Sequence, residues 1–168
     1  PSGAVAGEPF PVLVRAIDSW GTRSDGYIDS VTFGASDLRA VLPEGYTFKA
    51  EDKGAKRLQG VILKTVGLHN ITVKDGSGRE ATSGTIIVRE EKLEFSLFWG
   101  DFHGQTKETV ATGSLDEYFS FARDVGGVDF AAWQGNDFQV TRELWNWVTE
   151  KVKEYHEPGK FVTFLGYE

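Results

Sequence analysis

Cysteine is absent from the chain, which excludes a disulfide framework, a thiolate zinc site and a cysteine nucleophile. Any bound metal must then draw on nitrogen and oxygen ligands. Methionine is absent too, proline is held to 5 of 168 residues, and the longest apolar stretches are short runs such as Phe10 to Val14. A bilayer span needs roughly 18 to 20 consecutive apolar residues, so no transmembrane helix is expected. Basic residues are the minority charge, 18 Lys and Arg against 25 Asp and Glu, for a net charge of -7 and a pI near 5.0. They nowhere cluster densely enough to neutralise a run of phosphates, so nucleic acid is not an expected partner. The phosphate-cradling G-x-x-x-x-G-K-S/T loop, the G-x-S-x-G elbow and the H-E-x-x-H helix are missing, which weakens nucleotide, serine-hydrolase and zincin readings. No charged region precedes an apolar one at the start, and the opening on Pro1 reads as a processed or excised piece.

What is present is ample for a folded core: 40% hydrophobic and 26% charged residues, the proportions of ordinary globular chains. From Gly7 to about Glu90 short β-prone runs alternate with turn residues. The runs are Phe10 to Ile17, Tyr27 to Gly34, Tyr46 to Lys49, Lys56 to Thr65, Gly67 to Lys74 and Thr82 to Arg89. Ser-Trp-Gly at 19–21, Leu-Pro-Glu-Gly at 42–45 and Asp-Gly-Ser-Gly at 75–78 supply the reversals. Six or seven strands in so short a stretch predict an all-β sandwich. Beyond Arg89 the rhythm changes, and four of the five Trp and two of the three His lie past residue 95.

The second part reads as strand, helix, strand, helix, strand. Leu93 to Trp99 is the first expected strand. Ser114 and Glu117 then form an S-x-x-E capping box, in which each side chain satisfies an orphan N–H at the other's position. Tyr118, Phe121 and Ala122 are expected on one face of that helix, which Gly126-Gly127 stops. Val128 to Trp133 is the second strand. Thr141 caps a second helix carrying Leu144, Trp147, Val148 and Val152, ended by Pro158-Gly159, and Phe161 to Leu165 is the third strand. Of Trp145 and Trp147, two apart on that helix, one is expected in the core. His69 and His156 are read as structural. The expected domains are 1–91 and 92–168.

In parallel α/β architectures ligands bind beyond the carboxyl ends of the strands. Asp101, His103 and Gln105 follow the first strand, Gln134, Asn136 and Asp137 the second, and Glu168 the third. One shared pocket is therefore expected. His103, two residues from Asp101 in a Gly-flanked loop, offers imidazole nitrogen beside carboxylate oxygen, the donor set borderline divalent metals prefer. Asp101 and Glu168 also suit general acid/base work, and a glycosidase using that pair is an alternative. Asp137 alone reads as a capping residue.

Two resemblances add to this reading. Residues 16–21 (Ala-Ile-Asp-Ser-Trp-Gly), Gly26-Tyr27 leading to Val31-Thr32-Phe33, and Leu42 to Phe48 followed by Ala50 to Gly54 resemble a bacterial immunoglobulin-like repeat over residues 7–90. Such modules serve as spacers or recognition units on exported proteins, which implies a periplasmic or secreted location. Residues 98–106 (Phe-Trp-Gly-Asp-Phe-His-Gly-Gln-Thr), 113–119 and 122–124 resemble the opening of a PHP-type (polymerase and histidinol phosphatase) metal-dependent barrel, as found in divergent form in large bacterial proteins.

That second resemblance implies the start of a (β/α) barrel and a hydrolase acting through Zn, Mn, Fe or Mg on a small phosphorylated or carbohydrate-like substrate. It implies His103, Glu168 and Asp101 as metal ligands, Asp101 and His103 as catalytic residues, and Gln105, Gln134, Asn136 and Asp137 as substrate-binding ones. The family's His-x-His is here His103-x-Gln105, its Asp position falls on Val110, and its Thr-Asp-His is Gln134-Gly135-Asn136. These departures support the rival expectation, a binding or scaffold protein without catalysis. Because α/β barrels need on the order of 200 residues, residues 92–168 are expected to be completed by further chain, another chain or self-association.

Overall fold

The computed structural model describes residues 1–168, and the chain is mostly β-sheet with two α-helices. It divides into two compact units, Pro1–Ser96 and Leu97–Glu168, a few residues beyond the expected boundary.

The first unit holds β1 (Gly3–Val5), β2 (Pro9–Arg15), β3 (Ser30–Ala35), β4 (Tyr46–Thr47), β5 (Ala55–Ile62), β6 (Gly67–His69), β7 (Ile71–Asp75), β8 (Glu80–Thr82) and β9 (Ile86–Arg89). They pair in the orders β1-β9-β6, β2-β5 and β4-β3-β7-β8. All these pairs are antiparallel except β1 with β9. Val61, Leu63, Ile71, Ile86 and Val88 form the core, with Phe10, Val12 and Phe33 packed on it.

Two runs expected to be continuous are each broken in two. Between β6 and β7, the Asn70 N–H donates to Ser36 Oγ at 2.9 Å; between β8 and β9, Ser83 Oγ accepts the Ile71 N–H at 3.0 Å. Side-chain hydroxyls here replace ladder partners, and the strands break where that substitution occurs. The short strand β1 carried no periodicity and was not expected.

The second unit contains β10 (Gly100–Gly104), α1 (Leu115–Ser120), a π-helical segment (Phe121–Gly126), β11 (Phe130–Gly135), α2 (Arg142–Tyr155) and β12 (Val162–Tyr167). The three strands form one parallel sheet with β11 central, and that sheet is open, not closed into a barrel. Ser114 and Glu117 make both capping-box bonds on α1, and Thr141 Oγ1 accepts the Leu144 N–H at 3.1 Å on α2. Gly127 stops the π-helical segment at φ 67°, a left-handed conformation that glycine adopts without a Cβ clash.

The core here is Leu115, Phe119, Ala122, Ala131, Trp133, Val148, Val152 and Phe161. Leu115, Phe119 and Ala122 are spaced i, i+4, i+7, so the buried face is set by Phe119, whereas Phe121 is 55% exposed. Neither Trp145 nor Trp147 enters this core: Trp145 packs edge-on against Tyr167, and Trp147 is exposed.

Leu93 to Trp99 is not a strand. Phe95, Leu97, Phe98 and Trp99 stay exposed, and pairing begins only at Gly100. An apolar run became a strand only where β11 offered a neighbour.

Candidate functional site

The carboxyl ends of β10, β11 and β12 lie side by side because the three strands run parallel, with continuous register between β11 and β12 from Phe130–Val162 to Gly135–Tyr167 and a register shift between Asp101 and Gly104 in β10. His103 Nε2 reaches Glu168 Oε2 at 3.0 Å across the sheet. On the other oxygen of the same carboxylate, Glu168 Oε1 accepts from Gln105 Nε2 and, at 3.2 Å, from Asn136 Nδ2. Three side chains, from the ends of β10 and β11, therefore meet on the carboxylate that follows β12. The main chain locks Glu168 in place, since its N–H donates to Gly135 O at 3.1 Å and its O accepts the Asp137 N–H at 2.8 Å.

The His103 and Glu168 side chains are 67% and 36% exposed. A contact that open contributes only about 0–1 kcal/mol to stability even where it is an ion pair. Fold stability therefore does not account for the gathering.

Asp101 stands one step behind. Its Oδ1 accepts the His103 N–H at 2.8 Å and its Oδ2 accepts the Tyr118 hydroxyl at 3.1 Å, while the same hydroxyl lies 3.1 Å from Ala132 O. Asp101 thus fixes the backbone that carries His103, and Tyr118 fixes Asp101. Burial first, and the Asp101 charge second, push the Tyr118 phenol well above its ordinary value, so it remains a proton donor. The contact needs Gly104, where a Cβ would fall 2.0 Å from the Tyr118 ring.

Of the other expected residues, Asp137 joins through its backbone alone, and the Gln134 amide lies against Gly166, where a Cβ would meet it at 2.6 Å. Val110 is exposed in the loop that follows β10. His156 is structural, its Nδ1 accepting the Thr163 N–H at 3.3 Å.

Tyr118 escaped the sequence reading because its pattern marks it only as a helix-face aromatic. Its pairing with Gly104 is a tertiary fact with no local signature. Thr106 was likewise unforeseen: fully buried, it accepts the Trp133 Nε1–H at 2.9 Å, so the loop after Gln105 is pinned to the core of β11.

No group of three or more His, Asp or Glu side chains gathers here in metal-binding geometry. The donor set that does gather is His103 Nε2, Glu168 and the amides of Gln105 and Asn136. Asn136 Oδ1 adds a buried acceptor with no hydrogen-bond partner, a group whose burial costs free energy until a donor or a cation meets it. By donor type, imidazole nitrogen and carboxylate oxygen are ligands that borderline or hard divalent cations take, whereas both amides turn their NH2 groups toward Glu168. Comparison with protein-family models, with curated proteins and with solved structures finds no match to this chain.

Proposed function

We propose that the C-terminal unit is the opening portion of a PHP-like (β/α) barrel and carries part of a metal-dependent hydrolase site, preceded by an immunoglobulin-like sandwich. The observation that carries this reading is the approach of His103 to Glu168 at 3.0 Å, between residues 65 positions apart (168 − 103) at the ends of two parallel strands.

His103 and Glu168 would hold the cation. When bound, a divalent ion supplies Lewis-acid stabilisation of a phosphoryl oxygen and lowers the pKa of water. Asp101 positions His103 through its backbone N–H. Gln105 and Asn136 orient the Glu168 carboxylate and offer amide donors to an oxygen-rich substrate such as a phosphate ester.

The rival reading, a scaffold without catalysis, is favoured by one observation: both amides already satisfy Glu168 Oε1. Turnover separates the two. With p-nitrophenyl phosphate and its diester as probes, the hydrolase reading expects a rate that needs Mn, Zn, Fe or Mg and falls at least about a hundredfold in His103→Ala and Glu168→Gln. The same rate with and without metal in both variants would overturn it.

A further inference from the structure

The first unit has a cleft of about 190 Å³ that its own side chains leave unfilled. Val14 reaches it from β2, Val31 from β3, Val73 from β7 and Phe48 from just past β4, so strands of two sheets bound it and it runs beneath β3 and β7. Val31 and Phe48 are 4% and 2% exposed, and these walls continue the apolar interior. Ile17, Arg79 and Ala81 are exposed members of the lining and mark the mouth.

The charged groups of the lining cancel. Arg15 and Arg79 stand against Asp75 and Glu80, and Asp75 is already met by Arg79 Nε at 2.6 Å and by the Tyr27 hydroxyl at 3.3 Å. An ion of either sign would meet one like charge for each opposite one while leaving its own hydration behind. Ser24 differs from the other polar groups of the lining. Its N–H donates to Ala16 O at 2.9 Å and its carbonyl accepts the Tyr27 N–H at 3.1 Å, but the hydroxyl of this partly buried residue meets no protein group. The side chains of Val14, Val31, Val73 and Phe48 give a water molecule none of the two to four polar partners that hold one in place. Replacing such water by an apolar group gains affinity.

We propose that this cleft binds a small neutral molecule built on one aromatic ring and one hydroxyl, of which phenol is the simplest. The ring lies among Val14, Val31, Val73 and Phe48, and the hydroxyl bonds to Ser24 Oγ. Volume sets the size: drug-sized ligands use about 300–1,000 Å³, whereas a cavity of about 150 Å³ holds benzene. The space here takes one ring and one polar substituent. Phe48 and Tyr27 bring aromatic side chains to the lining, in edge contact with each other at 5.1 Å, and edge-to-face approach favours an aromatic ring over a saturated one. The cancelled charges set neutrality, and the unmet Ser24 hydroxyl sets the substituent.

The test is an amide-resolved NMR titration of the isotope-labelled full chain with phenol, and with toluene, cyclohexanol and benzoate beside it. The expected result for phenol is saturable shifts confined to residues 14–17, 24–27, 73–75 and 79–81 and to Val31 and Phe48, with a Kd of about 1 mM or tighter. Cyclohexanol, which lacks an aromatic face, should bind about threefold or more weakly, and benzoate about tenfold or more weakly. Ser24→Ala should weaken phenol by about three- to tenfold and leave toluene unchanged. Ala81→Phe, which carries a ring into the mouth, should abolish binding of both. Shifts that are absent or scattered over other residues, benzoate bound as tightly as phenol, or phenol binding untouched by Ser24→Ala would overturn the proposal.

Discussion

Asp37 shows how a single side chain holds a loop. Only 3% exposed, it accepts from the N–H groups of Arg39, Lys64 and Thr65 and from the Thr65 hydroxyl, at 2.6–3.0 Å. Burial alone would raise its carboxyl, but these four donors outweigh burial and hold it well below the usual carboxylate range. A depressed folded value means stability that is present above the unfolded pKa of about 3.9 and lost as pH falls through the folded one. Acid titration of stability should therefore show this contribution intact at neutral pH and declining below about pH 4. Asp37→Ala should cost about 3 kcal/mol in urea unfolding at pH 7 by orphaning the loop donors, and the difference from the unaltered chain should shrink in acid. Tyr118 makes a second residue-scale case, on the reading of the site as a cation site. Tyr118→Phe should lower divalent-cation affinity by about tenfold through release of Asp101, while changing stability by only about 1 kcal/mol. Titration calorimetry beside thermal unfolding reads the two separately.

At the scale of elements, signals confined to a few neighbouring residues were legible. The Ser114–Glu117 box, the Thr141 cap and the Gly127 stop stand where their chemistry places them, because each is settled by bonds within one helical turn. Signals that depend on a partner were not. Leu93 to Trp99 has strand composition but no strand beside it, and the hydroxyls of Ser36 and Ser83 divide runs whose apolar pattern is unbroken. Of the helix face read on Tyr118, Phe121 and Ala122, Ala122 lies in the core and Tyr118 packs against it, whereas Phe121, where the π-helical segment begins, is exposed and Leu115 and Phe119 complete the face. The buried pair of Thr106 and Trp133 ties a loop to a strand in the same partner-dependent way. Thr106→Val keeps the volume and removes the acceptor, leaving the indole N–H buried and unmet. It should cost about 1–3 kcal/mol in thermal unfolding, more than a surface substitution such as Thr112→Val.

Taken as a whole, the molecule pairs a β-sheet unit with an open three-stranded parallel sheet, each around its own core. The strand-end rule sufficed to bring His103, Gln105, Asn136 and Glu168 to one rim, since parallel strands joined by helices leave their carboxyl ends on a common side. It could not separate the side chains that meet from those that merely share the rim. The Gln134 amide lies against Gly166, Asp137 joins through its main chain, and Asp101 is drawn into the network by Tyr118, outcomes fixed by packing and not by order along the chain. The most direct test of the site is the stoichiometry of bound Mn and Zn on the purified chain, by equilibrium dialysis with elemental analysis, beside His103→Ala and Glu168→Gln. One cation per chain that is lost in both variants is the predicted result; no bound metal, or metal retained by both variants, would contradict it.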